Sequence, residues 1–154
     1  VIVGDGPLLK DLKKYVLYYK IERVVFKGLC DPEIYYRESE ILCMTSTSEG
    51  LGMVLVESVK LGCIPVAFDS FPSIREIIRD NGNGILVNSF SIKKYIKILR
   101  KLMLNPELRN HLRENNVDLN GKFDPYVISQ QWLNLFEKNN LNEMTKMFRI
   151  AASG

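Results

Sequence analysis

The chain has 154 residues, of which 46% are hydrophobic and 25% charged, and its formal net charge is +3. This is the profile of one ordinary globular domain, long enough to bury a core of its own. The small charge is spread along the chain, so no concentrated basic stripe argues for nucleic acid as a partner. No apolar run approaches the ~20 residues that a membrane-spanning helix needs.

The three cysteines, Cys30, Cys43 and Cys63, are odd in number and form no CxxC pair. They read as small buried hydrophobes in a reducing compartment rather than as a disulfide framework or a zinc site. With no signal peptide, the expected location is cytoplasmic. Peripheral contact of the complete protein with the inner face of the membrane stays open. The chain opens directly on strand-like Val1-Ile2-Val3, which implies a fold begun upstream.

Val1-Ile2-Val3 runs into the turn Gly4-Asp5-Gly6-Pro7. Leu8, Leu9, Leu12, Tyr15, Val16 and Tyr19 then recur at helical spacing. Val24-Val25-Phe26 is a short strand ending at Gly28, and a brief helix follows Asp31. Ile41-Leu42-Cys43-Met44 reads as a strand buried on both faces. It leads through Thr45-Ser46-Thr47-Ser48-Glu49-Gly50 into a helix that opens near Leu51 or Gly52 and is apolar nearly all round.

Gly62 stops that helix, and Pro65 begins the next strand. Ser73 and Glu76 have capping-box spacing for a helix over 74–78. Asn81-Gly82-Asn83-Gly84 is a turn before the strand Ile85-Leu86-Val87. After Ser91 the pattern is helical to the end, with breaks at Asn105-Pro106 and around Asn120-Gly121 and a fraying tail at Ile150–Gly154. Trp132, Leu133, Leu135 and Phe136 read as a helix packing back on the core. The fold class is therefore α/β: a Rossmann-like domain with a parallel sheet of about five strands, covered by helices on both faces, and a helical carboxyl-terminal part.

The chemistry concentrates in Ser48-Glu49-Gly50-Leu51-Gly52-Met53-Val54-Leu55-Val56-Glu57. A buried strand, a glycine loop and a helix start follow one another, and in a parallel sheet such a loop lies at the carboxyl edge where ligands bind. Free amides from Gly50 through Val54 favour an anion such as a diphosphate, and the glycines let a ligand approach the backbone. Two carboxylates bracket this cradle. Glu49 precedes it, and Glu57 stands about 9 Å beyond the helix start at ~1.5 Å per residue. Carboxylates suit vicinal sugar hydroxyls, so the constellation describes a nucleoside diphospho-sugar site.

The Glu49…Glu57 spacing resembles the signature of family 4 of the retaining glycosyltransferases. Val1-Ile2-Val3-Gly4-Asp5-Gly6-Pro7, Val25-Phe26-Lys27-Gly28, Gly62-Cys63-Ile64-Pro65-Val66, Glu76-Ile77-Ile78, Asn83-Gly84-Ile85-Leu86-Val87 and Asn105-Pro106-Glu107-Leu108-Arg109 stand in the family's order. The match extends to about residue 137. The resemblance implies that residues 1–154 are the nucleotide-sugar-binding, carboxyl-terminal domain of a GT-B enzyme. Glu49, as the catalytic-site residue, would bind the transferred sugar together with Gly50, Leu51 and Gly52. Glu57 would hold the ribose, while Gly52, Met53 and Val54 offer amides to the diphosphate. Gly28 and Leu29 would border the nucleobase, and Gly4 the site's edge.

The resemblance further implies retained anomeric configuration, no cofactor and no metal. The donor would be a nucleotide sugar, with UDP-sugar as the family prior, and the acceptor a glycan or lipid-linked sugar. The family's cationic phosphate clamp belongs to a strand–helix unit expected before Val1, and the acceptor site to an amino-terminal domain. Both are absent from this sequence, so the segment alone is expected to be inactive.

Other readings are weaker. Gly4-x-Gly6 lacks the third glycine of a dinucleotide fingerprint, because Leu9 stands there, and no acidic residue ends the next strand. A non-catalytic nucleotide-binding α/β module remains the rival from another class. His111, the single histidine, sits on a polar helix. Lys93, Lys94, Lys97, Arg100 and Lys101 read as a solvated face opposite Ile92, Tyr95, Ile96, Leu99 and Leu102.

Overall fold

A computed structural model describes residues 1–88, 90–115 and 119–138. The elements β1 (Ile2–Val3), α1 (Leu9–Tyr18), β2 (Phe26–Gly28), α2 (Glu33–Glu38) and β3 (Ile41–Met44) open the chain. They are followed by α3 (Met53–Lys60), β4 (Ile64–Asp69), α4 (Ile74–Ile77) and β5 (Ile85–Asn88). Helices α5 (Ile92–Leu104), α6 (Pro106–Glu114), α7 (Asn120–Phe123) and α8 (Pro125–Lys138) close it. The tail Ile150–Gly154 lies outside the described residues. No described helix is long and apolar enough to cross a membrane.

All strand pairs are parallel, as the alternation of strand and helix requires. The five strands form two sheets, β1-β2 and β3-β4-β5, rather than one. β4 is central in the larger sheet, and its side chains divide by parity. Ile64, Val66 and Phe68 join Ile85, Val87, Tyr95, Leu102 and Leu112 in one core. Ala67 turns to the other face, where Met44, Leu55, Val56, Val59, Ile74 and Ile77 form a second core. A strand with both faces covered must be apolar at every position, which is why this segment reads as an unbroken hydrophobic run. The Tyr95 hydroxyl crosses from α5 to donate to Val66 O at 2.6 Å, and burial pushes its pKa upward.

The two sheets turn unpaired backbone edges toward the gap between them. Ile2 N–H donates to Val25 O at 2.8 Å and Gly4 N–H to Gly28 O at 2.7 Å. Successive strand residues turn their peptide groups to opposite edges, so those of Val3 face away from β2. By the same alternation Ile64 N–H bonds Glu40 O at 3.0 Å, and the peptide groups of Ile41 and Cys43 face away from β4. Between these two unpaired edges lies a cavity of about 560 Å³ lined by Ile2, Val3, Ile41, Leu42, Cys43 and Val54.

That cavity corrects one sequence expectation: Cys63 is buried, but Cys43 is exposed at the open edge of β3 and Cys30 is exposed in the loop after β2. Other expectations also shift. No residue of α1 is buried, so its periodic apolar face, with Leu12 and Tyr15, stays open. Ile92 and Ile96 of α5 are exposed too, because its contact with the sheet centres on Tyr95 and Leu102. The helical pattern is interrupted between α6, which ends at Glu114, and α7, which starts at Asn120, near the expected break, and again at Asp124, which has extended backbone. α8 buries none of its side chains among the described residues; Trp132 packs on Phe136 instead, with ring centroids 5.7 Å apart.

Candidate functional site

The glycine loop leads into α3 through Gly52, which is buried and left-handed at φ 78°. A Cβ at this position would stand 3.1 Å from Phe71 Cζ, so both backbone and packing require glycine. Backbone bonding of α3 begins when Leu55 N–H donates to Gly52 O at 2.9 Å. The amides of Gly50, Leu51, Gly52, Met53 and Val54 find no acceptor among the described residues. Those of Gly52, Met53 and Val54 are the unsatisfied donors of the helix start, with the positive end of its dipole behind them. Met53 and Val54 are about half exposed. The helix is therefore less buried than its sequence suggests, because its first turn faces outward.

The loop is tied down from the sheet's carboxyl side. Ser70 Oγ donates to Ser46 O at 2.7 Å, and Ser73 Oγ donates to Gly50 O at 2.8 Å. The latter bond replaces the expected capping box. Ser73 makes no side-chain cap on α4, and Glu76 pairs with Lys122 at 2.8 Å. Its hydroxyl is committed to the glycine loop.

Glu49 is exposed in the loop before α3 and takes part in no ion pair among the described residues. Glu57, also on the surface, reaches toward α2, where Tyr36 Oη donates to its Oε2 at 3.4 Å. Glu57 and Tyr36 share an open cavity of about 350 Å³ with Asp31, Pro32, Lys60 and Leu61. Pro32 and Tyr36 also border the cavity between the two sheets. Val54 lines the cavity between the sheets, and Glu57 stands one turn further along the same helix. Gly4 and Gly28 lie side by side, both at positive φ and joined by the Gly4 N–H to Gly28 O bond. Leu29, next to them, is 82% exposed.

The structure thus places Glu57 and the amides of Met53 and Val54 on one helix, pairs Gly4 with Gly28, and leaves Glu49 exposed in the loop before it. Sequence reasoning did not single out Tyr36, Phe71 or the tie from Ser73 to Gly50. Tyr36 and Glu57 stand on different helices, and no local spacing carries a signal for such a contact.

The glycosyl transferases group 1 model matches residues 1–118. The chain belongs to that family. Among curated relatives it is similar to the amylovoran biosynthesis glycosyltransferase AmsD of Erwinia amylovora, at 33% identity over 86% of this chain and 38% of that protein. A Campylobacter jejuni N-acetyl-galactosaminyltransferase, whose name specifies a diphospho-undecaprenol-linked substrate, is 29% identical over 88% of this chain and 38% of its own. Among solved structures, S. aureus TarM in complex with UDP superposes with a TM-score of 0.75 at 28% identity, covering 88% of this chain and 28% of that one. HepE from Anabaena, solved with UDP-glucose, shares the fold at TM-score 0.78 and 23% identity, over 88% and 40% of the two chains. The fold is the Rossmann-like α/β of these GT-B enzymes, and the segment spans about two fifths of the length of curated relatives such as AmsD.

Proposed function

We propose that this domain binds the nucleotide-sugar donor of a retaining hexosyltransferase, with a UDP-sugar as the donor and a glycan or lipid-linked sugar as the acceptor. One observation carries the reading: five consecutive amides without acceptors from Gly50 to the first turn of α3, preceded by Glu49 and followed by Glu57, which lines an open cavity. The diphosphate meets the amides of Gly52, Met53 and Val54, because a helix start favours an anion. Glu57 accepts from the ribose hydroxyls. Glu49, with Gly50 and Leu51, faces the hexose, and the Gly28-Leu29 turn borders the base. The UDP-bound relative TarM supports the choice of donor, and the names of AmsD and the Campylobacter enzyme support the acceptor classes.

Transfer needs more than this surface. Holding an acceptor in line with the anomeric carbon supplies a large part of any rate enhancement, and the described residues offer one wall of a cleft. We assign acceptor binding and the cationic phosphate clamp to parts of the protein outside residues 1–154. The work of the complete protein would be at the cytoplasmic face of a membrane, where lipid-linked acceptors lie.

Calorimetric titration with UDP, GDP, ADP and their sugar derivatives tests the donor assignment. Glu57→Ala should weaken the bare nucleoside diphosphate by ~1.5–3 kcal/mol, the worth of a hydrogen bond to a charged group. Glu49→Ala should leave that affinity unchanged and remove only the increment contributed by the sugar. Equal losses for both variants with the bare nucleotide would overturn the division of roles. The anomeric configuration of the product, read by NMR on the complete protein, tests retention.

A further inference from the structure

Tyr36 is the only described residue outside α3 with a side chain hydrogen-bonded to Glu57, and its surroundings fix it firmly. Tyr36 is 8% exposed, between α2 and α3, whereas Glu57 projects from the surface. The backbone of Tyr36 is held as well. Cys63 Sγ donates to Tyr36 O at 3.0 Å, and Tyr36 N–H donates to Pro32 O at 3.1 Å. The start of α2 is fixed by Asp31 Oδ1, which accepts from Glu33 N–H at 2.9 Å. A rigid donor thus meets a carboxylate on an otherwise unrestrained glutamate. Lys60, one turn further along α3, makes no ion pair with that carboxylate.

We infer that Tyr36 is a positioning residue: its hydroxyl holds Glu57 Oε2 so that the remaining carboxylate oxygen points into the cavity to receive the ribose hydroxyls of the donor. The inference rests on the assignment of Glu57 to the ribose. A glutamate on a helix surface samples several rotamers and loses that freedom on binding a ligand. A donor that selects one rotamer beforehand lowers the cost of binding, which is preorganisation. Burial, and next to it the Glu57 charge, push the Tyr36 pKa up to about 12. The phenol therefore stays protonated at any working pH and presents a donor to Glu57, never a second negative charge.

A merely structural role for Tyr36 would affect all ligands alike, so the decisive readout is discrimination by the ribose. On the complete protein, calorimetry would use whichever of UDP, GDP and ADP binds most tightly, beside its 2′-deoxy counterpart. The wild type should prefer the ribonucleotide about tenfold or more, and Glu57→Ala should bring that ratio close to one. Tyr36→Phe keeps the ring that packs between the helices and removes only the hydroxyl. It should weaken the ribonucleotide about fivefold, leave the deoxy form nearly unchanged and shrink the ratio correspondingly. Glu57→Asp withdraws the carboxylate from the phenol's reach, and adding Tyr36→Phe to it should cause no further change. A Glu57→Ala variant that keeps full discrimination would overturn the ribose assignment and this inference with it. If Glu57→Ala loses discrimination while Tyr36→Phe retains it, or if Tyr36→Phe weakens both ligands equally, only the positioning role falls.

Discussion

The Ser73 hydroxyl donates to the Gly50 carbonyl at 2.8 Å, binding the segment before α4 to the loop before α3. This bond holds the loop on which Glu49 stands. Ser73→Ala should leave melting almost unchanged, since the contact is solvent-exposed. It should weaken nucleoside diphosphate binding by about 0.5–1.5 kcal/mol, the net worth of one hydrogen bond. Calorimetry beside a thermal melt checks the pairing of effects. A large loss of stability with unchanged affinity would mean the bond serves the fold and not the loop.

Gly50 and Gly52 are separated by one residue but should respond differently to alanine. Gly52 has φ 78°, and its added Cβ would meet Phe71 at 3.1 Å, while a Cβ on Gly50 meets nothing within 4 Å. Left-handed backbone costs a non-glycine residue ~1–2 kcal/mol before any clash. Gly52→Ala should therefore destabilise the domain by about 1–3 kcal/mol, and Gly50→Ala by less than about 0.5 kcal/mol. Urea unfolding of both variants decides the matter; equal midpoints would contradict the strain argument.

The alternation of strands and helices was legible because each buried element carries its own period. The unbroken apolar run of β4 and the Gly62 stop of α3, at φ 90°, follow from local chemistry alone. The phosphate-cradle reading of the α3 start was equally local, since helix-end amides need only a strand, a glycine loop and a helix in sequence. What stayed hidden depends on elements meeting at a distance. Ser73 and Glu76 have capping-box spacing, yet the Gly50 carbonyl and Lys122 engage them first. Cys43 sits in an apolar run but faces an edge that no described strand covers.

Glu40 should give the domain a measurable acid sensitivity. Its Oε2 accepts from Arg109 Nε and Arg113 Nη2, each at 2.7 Å, and these bonds fasten α6 to the start of β3. Hydrogen bonds from Arg113 and then Arg109 hold its pKa below the ordinary carboxylate value. A carboxylate depressed in the folded state stabilises the fold above its unfolded pKa of ~4.3 and loses that contribution as the pH falls through the folded value. Glu40→Gln should thus cost stability at pH 7 and cost less near pH 3. Because the Glu40 side chain is 56% exposed, the loss at pH 7 should stay below about 1 kcal/mol. Denaturant unfolding at both pH values checks the sign; a gap that persists in full at low pH would show that packing, not charge, was removed.

The cavity between β1 and β3 has room for one short strand, and Cys43 can report whether one fills it. A strand residue occupies about 160 Å³, from ~3.3 Å of rise, ~4.8 Å between strands and ~10 Å of sheet thickness. The cavity's volume of about 560 Å³ therefore holds three to four residues, the length of β3 itself. The peptide groups of Val3 on one side and of Ile41 and Cys43 on the other are unpaired there, and such edges recruit another strand. Buried on both faces, the incoming segment would need to be apolar throughout. In residues 1–154 alone, the Cys43 thiol, whose pKa burial raises, should react with a bulky maleimide at mildly alkaline pH once Cys30, the other exposed cysteine, is replaced by serine. In the complete protein the same thiol should be protected by at least about tenfold, because opening the strand would cost more than the ~1.4 kcal/mol which that factor represents. Labelling followed by mass spectrometry of the Cys43 peptide measures both rates under one set of conditions. Equal rates would mean that the edges of β1 and β3 stay open in the complete protein and that the two sheets remain separate.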